Sequence, residues 1–149
     1  MRAVLTRVKH ASVTIDGKVH GQIGEGFLIL LGITHEDTEA QAVKLADKLT
    51  GLRIFEDENG KMNRGLEEVN GQLLIVSQFT LYADSRKGRR PSFHLSAPPG
   101  VAEPLFQHFV EDVRSRLPGR VQQGVFAADM DVSLTNWGPV TLLLDSADF

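Results

Sequence analysis

Hydrophobic and polar residues alternate in the first third of the chain as they do along β-strands. Val4, Thr6 and Val8 fall on one face, and a second alternating run, KVHGQI, follows Asp16-Gly17. An Asp-Gly pair is suited to the positive φ angles of a two-residue hairpin turn. The pattern therefore predicts an antiparallel hairpin in this region.

Two later runs, FLILLGI and QLLIV, are almost purely aliphatic. Strands without polar positions are covered on both faces, so both runs are predicted to be deeply buried strands. Between them, RIFE and KMN flank the turn sequence DENG, which predicts a second and smaller hairpin.

Helical periodicity occurs in two places. In the first, Thr38 and Gln41 form a capping-box pattern ahead of an apolar stripe that ends at Gly51. The second helix is predicted between Pro98 and Pro118. We expect Pro104 in the first turn of that helix, where a missing N–H does least harm.

The last third contains two more strand patterns, RVQQGVF and DVSLTNWGPVTLLLD, the second running from Asp131 to Asp145. Gly138-Pro139 interrupts the second pattern. Proline has no N–H for a ladder, so this position is predicted to be an edge, a bulge or a functional piece of backbone. Strands outnumber helices and no βαβ repeat recurs. We predict one α+β domain, residues 1–149, with mainly antiparallel β-sheets and two principal packed helices in a ββα-sandwich-like arrangement.

Composition narrows the possible function classes. Of the 149 residues, 42 % are hydrophobic and 23 % charged, which is ordinary for a soluble globular domain. The chain has no cysteine, which removes disulfides, thiol catalysis and Cys-based zinc sites. The apolar runs are too short to span a bilayer and the first residues lack a signal-peptide pattern, so we expect a cytoplasmic protein without membrane association.

The formal net charge of −3 excludes a global basic field that would attract nucleic acid. One local concentration of cations exists, RKGRR at residues 86–90. A short cluster of this kind is more often a solvated surface loop than a phosphate-binding site.

Familiar catalytic motifs are missing. The five histidines are scattered singly, without a His-x-x-x-His or Glu-x-x-His pair. The sequence also has no G-x-S-x-G elbow, Walker A loop or dinucleotide fingerprint. We therefore expect neither a metal nor a cofactor.

A candidate site lies at the end of the second aliphatic strand, in LLIVSQFTLYAD. Ser77, Gln78 and Thr80 there present hydroxyl and amide groups at the edge of the core. These side chains either belong to a site or satisfy main-chain groups where the strand ends. No base neighbours Thr80 in the sequence, so a threonine nucleophile would need a partner from elsewhere in the fold.

Two motifs occur in this one chain: SQFTL at residues 77–81 and N-x-G-P-V-T at residues 136–141. Four further stretches support them, namely RVKHASVTIDG, GLRIFEDENGKMN, RRPSF and FAADMDVSL. In these motifs and in their order along the chain, the protein resembles, over essentially its whole length, the D-aminoacyl-tRNA deacylases of the bacterial and eukaryotic type.

The resemblance implies a homodimeric hydrolase. Its substrate would be the ester that joins a D-amino acid, or glycine, to the terminal adenosine of tRNA, cleaved as a proofreading step in translation. The resemblance further implies that the Gly138-Pro139 bond is cis and reaches into the partner's pocket, where its carbonyls hold the α-amino group of the substrate. An L side chain would collide with the same backbone, whereas glycine would pass.

The resemblance also implies roles for individual residues. Main-chain N–H groups of Phe79 and Thr80 stabilise the oxyanion, and the 2′-hydroxyl of the adenosine helps to activate water. A competing mechanism makes Thr80 a covalent nucleophile; we prefer the RNA-assisted route because no motif supplies Thr80 with a base. The other implied roles are adenosine orientation by Ser77 and Gln78, substrate contact by Asn136, Gly138 and Pro139, tethering of the Gly-Pro segment by Arg7, and tRNA phosphate contact by Lys87, Arg89 and Arg90.

Two other interpretations share the predicted fold. One is a module that binds RNA or an amino acid without turnover, and the other is an esterase or peptidase that acts on free small molecules. A binding module would leave D-aminoacyl-tRNA intact. A small-molecule esterase would accept D-amino-acid esters that lack RNA, but the missing catalytic triad weakens that interpretation.

Overall fold

A computed structural model describes all residues from Met1 to Phe149. The chain begins with three strands, β1 (Arg2–Ile15), β2 (Lys18–Ile23) and β3 (Gly26–Gly32). They are followed by helix α1 (Glu39–Thr50), the short strands β4 (Phe55–Glu56) and β5 (Met62–Arg64), and β6 (Gln72–Ser77). A 3₁₀ turn (Phe79–Tyr82) then leads to α2 (Pro99–Arg116), β7 (Val121–Gln123) and β8 (Asp131–Asp145).

One mixed sheet of six strands forms the centre of the fold. Its strand order is β2-β1-β3-β6-β7. Strands β2 and β3 pair with different parts of the long strand β1 along one of its edges, and β8 pairs along the opposite edge. All pairs that involve β1 are antiparallel, as predicted. The pairs β3–β6 and β6–β7 are parallel, so a βαβ unit occurs twice in succession and the expectation that no βαβ repeat recurs is wrong. Helices α1 and α2 each lie in the connection between two parallel strands, because a parallel return needs a long crossover.

The sheet buries both of its faces. Phe27 belongs to a core of 23 residues that includes the inner faces of both helices, while its neighbour Leu28 belongs to a separate cluster of 7 residues. The two ends of the strand order also approach each other, since a Cβ on Gly21 of β2 would lie 3.4 Å from the carbonyl oxygen of Gln123 in β7. The sheet is therefore nearly closed and barrel-like, with the smaller cluster inside it.

The two helices follow the sequence prediction with one exception. Thr38 is the N-cap of α1, and both halves of the capping box with Gln41 are formed. Helix α2 begins at Pro99, so Pro104 lies inside the helix and the prediction that it occupies the first turn is wrong. There it leaves the carbonyl of Gly100 without an i+4 donor, but Gly100 is exposed and water can reach it. Neither helix is long and apolar enough to cross a membrane.

Candidate active site

A cavity of about 610 Å³ opens where β3 and β6 end. Ser77, the last residue of β6, lines it together with the next two residues, Gln78 and Phe79. The main-chain N–H of Gln78 donates to the carbonyl of Leu31 at 2.7 Å, which continues the parallel pairing beyond the end of the strand. The core of the sheet thus fixes the polar end of β6 at the cavity.

The 3₁₀ turn that follows β6 carries Thr80 next to the cavity lining. The exposed hydroxyl of Thr80 accepts a hydrogen bond from the side-chain amide of Gln78. An amide N–H is a donor and cannot remove a proton, so this contact does not activate Thr80 as a nucleophile. The first N–H groups of a helical turn have no acceptor within the turn, and here they belong to Phe79 and Thr80.

The opposite walls of the cavity have no role among the sequence predictions. These walls are formed by Phe93 and residues 96–99, which lead into the start of α2, and by residues 126–130 ahead of β8. Within the second segment Ala127 has a φ of +62°, a left-handed conformation that residues other than glycine rarely adopt. The only sequence signals for these walls were the stretches RRPSF and FAADMDVSL, which contributed to the resemblance without a role for any residue in them.

The Gly-Pro segment forms a bulge on β8. Opposite the single residue Arg7 of β1, residues 137–140 of β8 leave the ladder before pairing resumes. The Gly138-Pro139 bond is cis, and Gly138 has a φ of +130°. Asn136 closes the bulge, because its Oδ1 accepts from the N–H of residue 140 at 3.1 Å and its Nδ2 donates to Thr141 Oγ1 at 3.0 Å. The position is therefore both at an edge and in a bulge, which are two of the three alternatives that the sequence left open.

Arg7 holds this bulge from inside the protein. Its side chain is buried and donates to the carbonyls of Trp137 at 3.0 Å and Ile54 at 2.6 Å. The guanidinium also lies 4.7 Å from the centre of the Trp137 ring, and the Lys9 ammonium lies 3.4 Å from it. These hydrogen bonds and cation–π contacts fix the residue that precedes Gly138.

The predicted basic loop is a hairpin that leads directly to Phe93 in the cavity wall. Asp84 and Ser92 close it with main-chain hydrogen bonds of 2.7 and 2.8 Å. Two hydrogen bonds of 2.8 Å from the Arg86 guanidinium hold the pKa of the Asp84 carboxyl well below its usual range. The other three cations have no carboxylate partner; they are Lys87, Arg89 and Arg90.

Residues 4–145 match the family model described as D-Tyr-tRNA(Tyr) deacylase. The chain belongs to this family. It is 58 % identical to the D-aminoacyl-tRNA deacylase of Thermus aquaticus, over 99 % of this chain and 97 % of the relative. It is 56 % identical to the D-aminoacyl-tRNA deacylase of Rhodopirellula baltica, over 97 % of this chain and 99 % of the relative. The family expected from the sequence motifs is confirmed.

Solved structures also resemble this deacylase family member. One, described as c-Myc DNA Unwinding Element Binding Protein, superposes with a TM-score of 0.92 at 41 % identity and covers 97 % of this chain and 98 % of its own. Another, described as a probable eukaryotic D-amino acid tRNA deacylase, has a TM-score of 0.79 at 20 % identity, with coverage of 96 % and 97 %. The second likeness shows the fold alone.

In this member of the deacylase family the predicted catalytic and substrate-binding residues fall into two groups, apart from the three cations of the basic hairpin. The first group is at the cavity and consists of Ser77, Gln78 and Phe79 in its lining and Thr80 beside it. The second group is at the β8 bulge and consists of Arg7, Asn136, Gly138 and Pro139. No member of the second group lines the cavity of its own chain. The structure therefore does not bring the two groups together within one chain.

Proposed function

We propose that this protein hydrolyses the ester of D-aminoacyl-tRNA, and of mischarged glycyl-tRNA, to free tRNA and amino acid as a proofreading step in translation. The observation that carries the proposal is the cavity at the end of β6, where side-chain hydroxyl and amide groups meet the open N–H end of a 3₁₀ turn. Relatives that are 58 % and 56 % identical are named D-aminoacyl-tRNA deacylase. Because aminoacyl-tRNA is used in the cytoplasm, we place the activity there.

The chemistry needs an oxyanion stabiliser and an activated water. Water attacks the carbonyl carbon, the negative charge that develops on the oxygen is stabilised by the N–H groups of Phe79 and Thr80, and the 3′-oxygen of the adenosine leaves with a proton. Ser77 and Gln78 orient the adenosine from the cavity wall. The only side-chain hydrogen bond to the Thr80 hydroxyl comes from an amide, which is not a base, so Thr80 is not activated as a nucleophile. We therefore assign the activation of the water to the adenosine 2′-hydroxyl.

A second copy of the chain completes the proposed site. Gly138 and Pro139 are exposed on the β8 edge and lie outside the cavity lining of their own chain. In the homodimer this bulge enters the partner's cavity, where its carbonyls accept hydrogen bonds from the α-ammonium group of the substrate. An L side chain collides with the same backbone, and glycine passes because it has no side chain. Asn136 and Arg7 support this filter by fixing the bulge.

The direct test is deacylation of matched D- and L-aminoacyl-tRNA with protein far below substrate. Rapid loss of the D ester and survival of the L ester are expected. If both esters survive, the enzyme proposal fails and a non-catalytic RNA- or amino-acid-binding module replaces it. Equal turnover of D-amino-acid esters without RNA would instead identify a small-molecule esterase.

Thr80→Ala is expected to retain deacylation to within about tenfold, because it removes the hydroxyl but keeps the main-chain N–H that faces the oxyanion. Removing a true covalent nucleophile is far more severe, about a millionfold in a serine hydrolase. Single-turnover rates with D-aminoacyl-tRNA distinguish the two mechanisms. Thr80→Ser is the matched control, since it keeps both the hydroxyl and the N–H. A loss of several orders of magnitude in Thr80→Ala with recovery in Thr80→Ser would establish the nucleophile instead.

We also propose that the three unpaired cations of the basic hairpin contact tRNA phosphates. Replacing all three with glutamine is expected to lower kcat/KM at low salt and to flatten its salt dependence. Each phosphate contact contributes about 0.7–0.9 to the slope of log affinity against log salt. The control is Lys61→Gln, an exposed cation on the β4–β5 turn. Identical salt slopes for the triple variant and the control would contradict the assignment.

A further inference from the structure

Two phenylalanine side chains are in contact at the cavity mouth without being buried. Phe79 is 57 % exposed and Phe93 is 39 % exposed. Their ring centroids are 5.1 Å apart and the rings meet edge to face at 68°. Exposed single apolar side chains are common, but a contacting aromatic pair that also lines a cavity marks a surface that receives a ligand.

Hydrogen bonds fix the two chain segments that carry this pair. The Ser96 hydroxyl donates to the carbonyl of Phe79 at 2.8 Å, which ties the segment that follows Phe93 to the 3₁₀ turn. Ser92, directly before Phe93, is fixed by its two main-chain hydrogen bonds to Asp84. The backbone that carries the two rings is thus fixed before any ligand arrives, which lowers the entropy lost on binding.

The charge next to the pair indicates what binds there. The chain enters Phe93 directly from the basic hairpin, where Lys87, Arg89 and Arg90 have no carboxylate partner. An apolar protein surface would cover the rings but leave these cations without counter-charges. Single-stranded nucleic acid satisfies both features, because its bases stack on aromatic rings while its phosphates meet Lys and Arg.

We propose that Phe79 and Phe93 form a stacking platform for the nucleobase that precedes the terminal adenosine on the single-stranded 3′ end of tRNA. The inference rests on the proposed deacylase function, in which the adenosine itself occupies the cavity beside Ser77 and Gln78. The rings stand at the mouth of that cavity, so they meet the next base of the strand as it leaves toward the basic hairpin. The platform does not discriminate between the four bases, since every base presents a π face.

The test compares D-aminoacyl-adenosine with a D-aminoacyl dinucleotide that ends in adenosine. Wild-type protein is expected to favour the dinucleotide by about tenfold in kcat/KM, the size of one base stacked on an aromatic ring. Phe93→Leu keeps an apolar side chain but removes the π face, and it is expected to bring this ratio close to one. Phe93→Trp keeps a π face and is expected to restore the preference.

Three results would overturn the platform. One is an unchanged ratio in Phe93→Leu, and another is a Phe93→Trp variant that behaves like Phe93→Leu. The third is dissociation of the proposed homodimer in Phe93→Leu, seen by sedimentation, which would show that the rings pack in the dimer interface instead of meeting a nucleobase. Failure of the wild type on both substrates and on D-aminoacyl-tRNA is a different result, because it removes the proposed function itself.

Discussion

Replacing Gly138 with alanine is expected to slow deacylation of D-aminoacyl-tRNA by about two orders of magnitude, the effect of displacing a positioning group by roughly 1 Å. The φ of +130° at this position belongs to a region that L side chains rarely adopt. An added Cβ would also lie 2.9 Å from Arg7 Nη2 and 2.9 Å from Val140 Cγ2. The bulge must therefore shift or lose its Arg7 contact. Steady-state rates with D- and L-aminoacyl-tRNA measure the result.

Gly100→Ala is the matched control for this variant. Gly100 is exposed in α2, and a Cβ there would meet nothing within 4 Å, so activity and stability should be preserved. Urea unfolding of both variants separates a local effect from a global one. A Gly138→Ala protein with the wild-type rate and wild-type preference for the D ester would show that the bulge takes no part in the reaction.

Gly26→Ala is expected to lower the free energy of unfolding by more than about 4 kcal/mol, a loss seen only with severe steric or burial defects. This is the largest effect on stability that we expect. Gly26 opens β3 with a φ of +155° and pairs with Gln72 of β6. A Cβ would lie 1.8 Å from the Gln72 carbonyl oxygen and 2.6 Å from its nitrogen. Both are backbone atoms in the parallel pair, so neither can move without separating the two most buried strands. Soluble yield and urea unfolding measure the effect.

Gly17→Ala is the control that separates the steric clash at Gly26 from the strain of a positive φ. Gly17 also has a positive φ, +76°, but a Cβ there would meet nothing within 4 Å. Strain alone in this conformation costs about 1–2 kcal/mol. Equal destabilisation of the two variants would mean that β3 and β6 tolerate a new side chain between them, contrary to the observed spacing.

Local features of the fold could be predicted because they depend on neighbouring residues. The Asp16-Gly17 turn has positive φ at both positions, and the capping box of Thr38 and Gln41 is formed as the sequence indicated. The aliphatic run of β3 is buried on both faces. The pairing of the strands was harder to predict, because an aliphatic run such as β6 shows the same residue pattern whether its neighbour is parallel or antiparallel. The two parallel pairs were therefore missed.

The part of the candidate site that depends on local sequence could also be predicted. Ser77 and Gln78 are polar residues at the end of an apolar strand, so their position is visible in the sequence, and they line the cavity. The wall at residues 126–130 was missed because most of its side chains carry no reactive group and it depends on backbone such as the left-handed Ala127. Phe93 was missed because an aromatic residue after a basic loop has no distinctive spacing.

The hydrogen bond from Arg7 to Trp137 joins positions 130 residues apart in the chain. During synthesis on the ribosome, β1 emerges long before β8, so the nascent chain exposes an unpaired edge of β1 until nearly all of the protein has been made. Contacts of such long sequence separation form late because closing the intervening loop costs entropy. The bulge therefore takes shape at the last stage of biogenesis, and a chain released early by the ribosome would lack it entirely.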